Sequence, residues 1–333
     1  MDLQQNPEQK KERRNMEKEF NIGQLYIVDF VKKLAHKKNI WAIMYLVLNV
    51  VIVTLIIKMF EPNWWLAILY GILTYIVTGF VALSPVGEWL FRLVNGCKKI
   101  EDPALLNRLQ PLFLEVKARA QEKRPDVIVD PKIALYMKED NDLNAFAMGR
   151  RTVCVTRGLL QLSDEEIKGV LGHEFGHLVT HDTDLTLLIT VGNFMISAAV
   201  TAFRLLMLFY NVIVNIVSAF FGNEGALARI LYSFSSFVIT LFVDGAMWVW
   251  TQLGILMVMK SSRDAEFEAD AFSCDIGYSE GLLSFFRMLD RLEERSGAKK
   301  ERGNIFAALA ASHPDTDKRI AKIESNALKY LEY

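Results

Sequence analysis

The sequence predicts a predominantly α-helical membrane protein with four transmembrane helices and a small α+β domain outside the bilayer. Three observations lead there. The chain is 52% hydrophobic with a mean hydropathy of +0.19, yet 23% of its residues are charged, a mixture that calls for spans plus a sizeable polar domain. Four apolar runs stand out, arranged as two pairs. Between and after the pairs lie segments with helix-period and strand-period patterns. The net charge of −1 gives no reason to expect a nucleic-acid partner. Cys97, Cys154 and Cys274 are scattered without pairing spacing, which fits reduced thiols facing the cytosol.

Residues 1–39 are mostly polar and charged, and the apolar run after them is too long for the core of a cleavable signal, so an N-terminal extension is expected. Its part from Glu19 to Lys38 reads as a basic amphipathic segment suited to an anionic leaflet. Ile40–Ile57 and Trp64–Leu83 are each long enough to cross hydrocarbon as a helix, and the short link KMFEPN makes residues 40–83 a hairpin. Trp64 and Trp65 stand where interfacial aromatics belong. Leu185–Phe221 and Ile230–Met259 form a second hairpin within residues 185–259, with GNEGALAR read as its turn. Its charges are Arg204 and Asp244, either an intramembrane pair or end groups reaching the far face. Nine Lys/Arg lie in residues 1–39, fourteen in 84–184 and twelve in 260–333, against only Lys58 and Arg229 in the two opposite links. That bias places both termini and the 84–184 domain on the cytoplasmic side.

In the polar segments, residues 103–124 read as an amphipathic helix with Pro103 in its first turn. Strand-like runs follow at 127–129, 133–137, 144–148 and 152–156, the last two joined by a turn at Gly149. Ser163 and Glu166 form a capping box at the start of the next helix. Further helices are expected at 280–296 and 315–331.

The capped helix carries HEFGH at 173–177. Residues four apart share a helix face, so His173 and His177 can offer two imidazoles to one ion, with Glu174 one position round. Two histidines, a third ligand and an open water position make a catalytic zinc site, with Glu174 as base for peptide hydrolysis. Gly172 and Gly176 flank this face and point to a close approach by another element. His181 is a further four residues on, but four such groups on one straight helix cannot wrap a tetrahedral ion. In SSRDAEFEADAFSCD, Glu266 is the better third ligand and Asp270, on the same face, can hold a histidine ring. Glu268 competes from another face.

HEFGH-x4-D, SRxxEFxAD, LNAFA at 143–147, VTRGLL at 155–160 and SHPxxxxRI at 312–320 occur in this order. Together they resemble the HtpX-type membrane zinc endopeptidases, relatives of the CAAX prenyl proteases, over roughly residues 40–325. The resemblance implies a gluzincin-like zinc protease domain built from 84–184 and 260–333. Zn2+ would be held by His173, His177 and Glu266, with Glu174 as catalytic base and Asp270 and Asp182 beside the ligands. Asn144, Ala145, Phe146 and Ala147 would be an edge strand that pairs with the substrate backbone. His313 and Arg319 would lie near the active site, on substrate or the oxyanion. It also implies membrane-protein substrates and quality control in a bacterial plasma (inner) membrane. Two alternatives stand beside this reading, a CAAX-type protease acting on lipidated tails and a zinc-binding scaffold without proteolysis. An even number of crossings separates His177 from Glu266, so one hairpin keeps both ligands on one side.

Overall fold

The computed structural model describes residues 39–58, 60–125, 132–220, 222–296 and 316–331. The strand expected at 127–129, the amphipathic segment 19–38 and His313 lie outside them. In chain order the elements are helices α1 (Ile40–Lys58), α2 (Trp64–Ala82) and α3 (Pro85–Val94), strand β1 (Lys98–Lys99), helix α4 (Pro103–Lys123), and strands β2 (Ala134–Lys138), β3 (Ala145–Met148) and β4 (Thr152–Thr156). A 3₁₀ turn (Arg157–Gln161) leads to helices α5 (Asp164–Val179), α6 (Asp182–Ala219), α7 (Gly222–Asp275), α8 (Ser279–Ser296) and α9 (Thr316–Leu331). The chain is mostly helical with one small sheet. Among the described residues, four helices are long and apolar enough to cross a membrane: Ile40–Lys58, Trp64–Ala82, Asp182–Ala219 and Arg229–Gly254.

Two compact units are present. One comprises residues 1–43, 83–187 and 261–333, the other 44–82 and 188–260. In the first, Asp102 caps α4 through the Ala104 N–H (2.8 Å) with Pro103 following it. The capping box of α5 is formed: the Ser163 N–H donates to Glu166 Oε2 (2.9 Å) and Ser163 Oγ accepts from the Glu166 N–H. The core joins Leu109, Phe113 and Val116 of α4 to Ile167, Leu171 and Phe175 of α5, with β4, α8 and Ile323 of α9 around them. The Phe113 and Phe175 rings pack in a tilted pair with centroids 5.5 Å apart.

The sheet order is β1-β2-β4-β3, with β4 parallel to β2 and antiparallel to β3. Every residue of β4 is buried, as its central place demands, while β3 is an edge. The β3–β4 turn needs Gly149, whose φ is +53°, a conformation disfavoured for any residue with a Cβ.

Two elements went unread in the sequence. Helix α3 is capped by Ser84 and begins at Pro85, directly after the second apolar run, whose apolar character its residues continue. Strand β1 has only two residues. One expectation is corrected: GNEGALAR is not a turn, because α7 is already helical from Gly222. Its Ala-Leu-Ala-Arg segment consists of strong helix formers that carry the helix back to the preceding residues.

In the second unit Tyr45 stacks on Trp250 (5.9 Å), and Asn49 accepts from the Trp250 indole N–H (2.9 Å) and donates to Asn193 and Tyr75. These polar side chains satisfy one another among apolar helices, as hydrocarbon requires.

Candidate metal centre

Helices α5 and α7 cross at small residues. A Cβ on Gly176 would lie 2.7 Å from the Ala269 Cα, and one on Gly172 would lie 2.6 Å from Ser273 Oγ. The Ser273 hydroxyl donates to the Gly169 carbonyl at 2.8 Å, so the two backbones are tied together. This is the close approach that the flanking glycines foretold, and it carries Glu266 of α7 to the His/Glu face of α5.

His173 Nε2 and His177 Nε2 are 3.2 Å apart, and each is 3.5 Å from an oxygen of Glu266. One donor atom from each residue lies within 4.8 Å of both others, which makes this a group able to hold a metal among the described residues. Donors at tetrahedral angles around zinc stand about 3.4 Å apart. The donor set, two imidazoles and one carboxylate, also suits zinc with one position left for water.

The rings are held from behind. His173 Nδ1 is 2.9 Å from Asp270 and His177 Nδ1 is 3.5 Å from Asp182. Each contact favours a proton on Nδ1 and leaves the Nε2 lone pair facing the site. Arg319 of α9 makes a two-pronged contact with Asp270 (2.8 and 2.6 Å) and reaches Glu266 at 3.1 Å. Its guanidinium lies 4.2 Å over the Phe286 ring and is buried. Arg319 thus meets both a donor, Glu266, and the carboxylate of Asp270 behind His173.

Glu174 is buried, and its Oε2 accepts the Ala147 N–H at 2.7 Å. The Thr156 N–H donates to the Asn144 carbonyl across the ladder (3.0 Å), so by alternation the N–H and C=O of Phe146 face β4 and those of Ala145 and Ala147 face outward. His181 does not join the group. Helix α5 ends at Val179, and His181 adopts φ +59° before α6, which breaks the four-residue spacing from His177. It lies 3.6 Å from Asp184 instead.

A model of peptidase family M48 matches residues 107–327, about two thirds of the chain. The chain belongs to peptidase family M48. It is 28% identical to the protease HtpX of Hahella chejuensis over 262 residues, covering 72% of this chain and 80% of that protein. Identity to the protease HtpX of Shewanella frigidimarina is 28% over 264 residues (74% and 84% covered), and to that of Aeromonas salmonicida 28% over 257 (73% and 82%). The chain is therefore an HtpX-type membrane metalloprotease, and its family implies a metal.

The electrostatics of this M48 site call for a cation. Burial opposes protonation of both histidines, but it is outweighed. Asp270 and Glu266 raise the pKa of His173, and Asp182 and Glu266 lift that of His177 to about 10. Burial alone would lift Asp270, yet Arg319 and His173 hold it below the usual carboxylate range. A metal takes the neutral imidazole, so loading must expel what the carboxylates retain. Zinc binding to metal-free protein near neutral pH is expected to release roughly one to two protons. Calorimetry in buffers of different ionisation enthalpy measures that number, and a value near zero would mean the rings were already neutral.

Several supports were missed in the sequence. Ser273 and Ala269 look like ordinary small helix residues until α5 lies against them. The β3–β4 turn is clamped: Glu88 of α3 accepts the Arg150 N–H at 2.5 Å, and the Thr183 hydroxyl donates to the Gly149 carbonyl at 2.6 Å. No local pattern marks these partners, which are 62 and 34 residues apart.

Proposed function

We propose that the chain is a zinc-dependent endopeptidase that hydrolyses peptide bonds in cytoplasmic segments of membrane proteins, in the service of quality control in a bacterial plasma membrane. The observation that carries this reading is the convergence of His173, His177 and Glu266 at donor spacings that suit zinc, with Glu174 beside them but outside the donor set. Bound there, zinc would polarise the scissile carbonyl and make a coordinated water more acidic. Glu174 is placed to take the proton from the attacking water on its carboxylate and to deliver it to the departing amine nitrogen. The outward N–H and C=O groups of Ala145 and Ala147 suit an extended peptide laid along β3, held largely independently of its side chains, with Asn144 at the head of the strand. A peptide carbonyl that takes up the Ala147 N–H would release Glu174 from it. His313 belongs to the same proposal as a group near substrate.

The cytoplasmic assignment rests on the Lys/Arg bias, and the choice of substrate on chain distance. His177 precedes the third apolar run by eight residues, and Glu266 follows the fourth by seven. A substrate anchored in the same bilayer would be presented at high effective concentration. Reconstituted protein should therefore cut a peptide on a transmembrane anchor at least about a hundredfold faster than the same peptide free at equal bulk concentration. Chelation should abolish both rates and zinc should restore them. Equal rates for the two substrates would refute the membrane-substrate reading.

A further inference from the structure

The two membrane hairpins of one unit differ in reach. The turn end of α1–α2 is marked by Lys58, whose Nζ lies 5.0 Å over the Trp64 ring and donates to the Pro62 carbonyl at 2.9 Å. A lysine and a tryptophan there set an interfacial level. Leu48 and Ile52 of α1 line one groove with Leu241, Gly245 and Val249 of α7, which aligns the hairpins. From Ile52, α1 runs only six residues further to Lys58, about 9 Å, whereas α7 extends nineteen residues back from Leu241 to Gly222, about 28 Å. The long hairpin thus overshoots the short one by about 20 Å. The overshoot is apolar: Val212, Ile216, Phe220, Ile230, Leu231 and Phe234 are each 50% to 83% exposed.

A bilayer placed to suit α1–α2 leaves this apolar tip standing out of it. That placement also holds the ion pair of Arg204 with Asp244, three residues below Leu241, about 14 Å beneath the Lys58 level and so within hydrocarbon, with each side chain 48% exposed. Charges facing lipid are costly, and large apolar surfaces facing water rarely stand uncovered. This placement leaves surface that only protein covers well.

We propose that this surface is covered by the α6–α7 hairpin of a second copy of the chain, forming a two-fold dimer. The charges select that partner. Arg204 and Asp244 pair across neighbouring helices, so the vector between them lies near the membrane plane. A two-fold axis along the membrane normal reverses in-plane vectors and preserves depth, so each Arg204 meets the other copy's Asp244. An unrelated span would need its own charges at this depth, where they are rare. A copy brings them necessarily.

The test is the number of copies per particle for the full chain in lipid nanodiscs large enough for two, counted by stepwise photobleaching, with oxidative cross-linking of single-cysteine variants. Two copies per particle are expected, with Phe234→Cys linking them and Trp65→Cys on α2 failing to do so. Arg204→Leu combined with Asp244→Leu should weaken association about tenfold, because interhelical polar contacts are lost. The exchange Arg204→Asp with Asp244→Arg should preserve the dimer, since every pair survives with roles reversed. Single copies in the parent chain, equal cross-linking at residues 234 and 65, or an unchanged dimer in the double leucine variant would each overturn the proposal.

Discussion

Replacing Glu174 with glutamine is expected to lower kcat by about 10²–10⁴-fold while the bound metal stays at its wild-type level. The substitution keeps the size of the side chain and its ability to accept the Ala147 N–H, observed at 2.7 Å. It removes only the capacity to accept and return a proton. Glu174 is not among the three donors, whose spacings to one another are set by α5 and α7. Cleavage assays paired with metal analysis on the same preparation separate the two properties. Activity within tenfold of wild type would place the base elsewhere, and loss of metal would mean that Glu174 is part of the coordination.

Arg319→Met should be the most destabilising single change at the site, by about 3–5 kcal/mol. The argument is electrostatic. Asp270 and Glu266 are 3% and 4% exposed, and Arg319 meets both at 2.6–3.1 Å. Methionine fills much of the volume above Phe286 but leaves two buried carboxylates short of a cation, and breaking such a pair costs far more than an exposed salt bridge is worth. A bound metal supplies positive charge to the same carboxylates. The loss should therefore be larger in metal-free protein than in loaded protein, as thermal melts of both forms would show. Arg319→Lys should recover part of the charge but not the two-pronged contact with Asp270. Equal melting temperatures for Arg319→Met and the parent would mean that this cluster contributes nothing to stability.

Much of the molecule was readable before any coordinates. The capping box at Ser163, the proline after Asp102, the β3–β4 turn at Gly149 and the run 152–156 are local signals, each carried within a few residues. The HEFGH spacing depends only on the pitch of one helix, and the four spans on composition and length. Helix α3 escaped because its apolar residues continue those of the span before it, and the start of α7 because two glycines suggested a turn.

The sequence by itself therefore determined most of the elements and the kinds of residue at the site. Only the tertiary structure decided which groups meet. Glu266 lies 89 residues after His177, and its arrival depends on a seam where Gly172 and Gly176 admit Ser273 and Ala269. The link from the Ala147 N–H to Glu174 depends on β3 being the edge of its sheet and on which way its residues alternate. Arg319 was expected near the active site, on substrate or the oxyanion, and packing sets it against Asp270 and Glu266. The physical reason is one of range. Caps, periods and span lengths are settled by neighbours along the chain, whereas a metal site needs donors from separate helices within a few ångströms, and that distance is set by the packing of small side chains far apart in sequence.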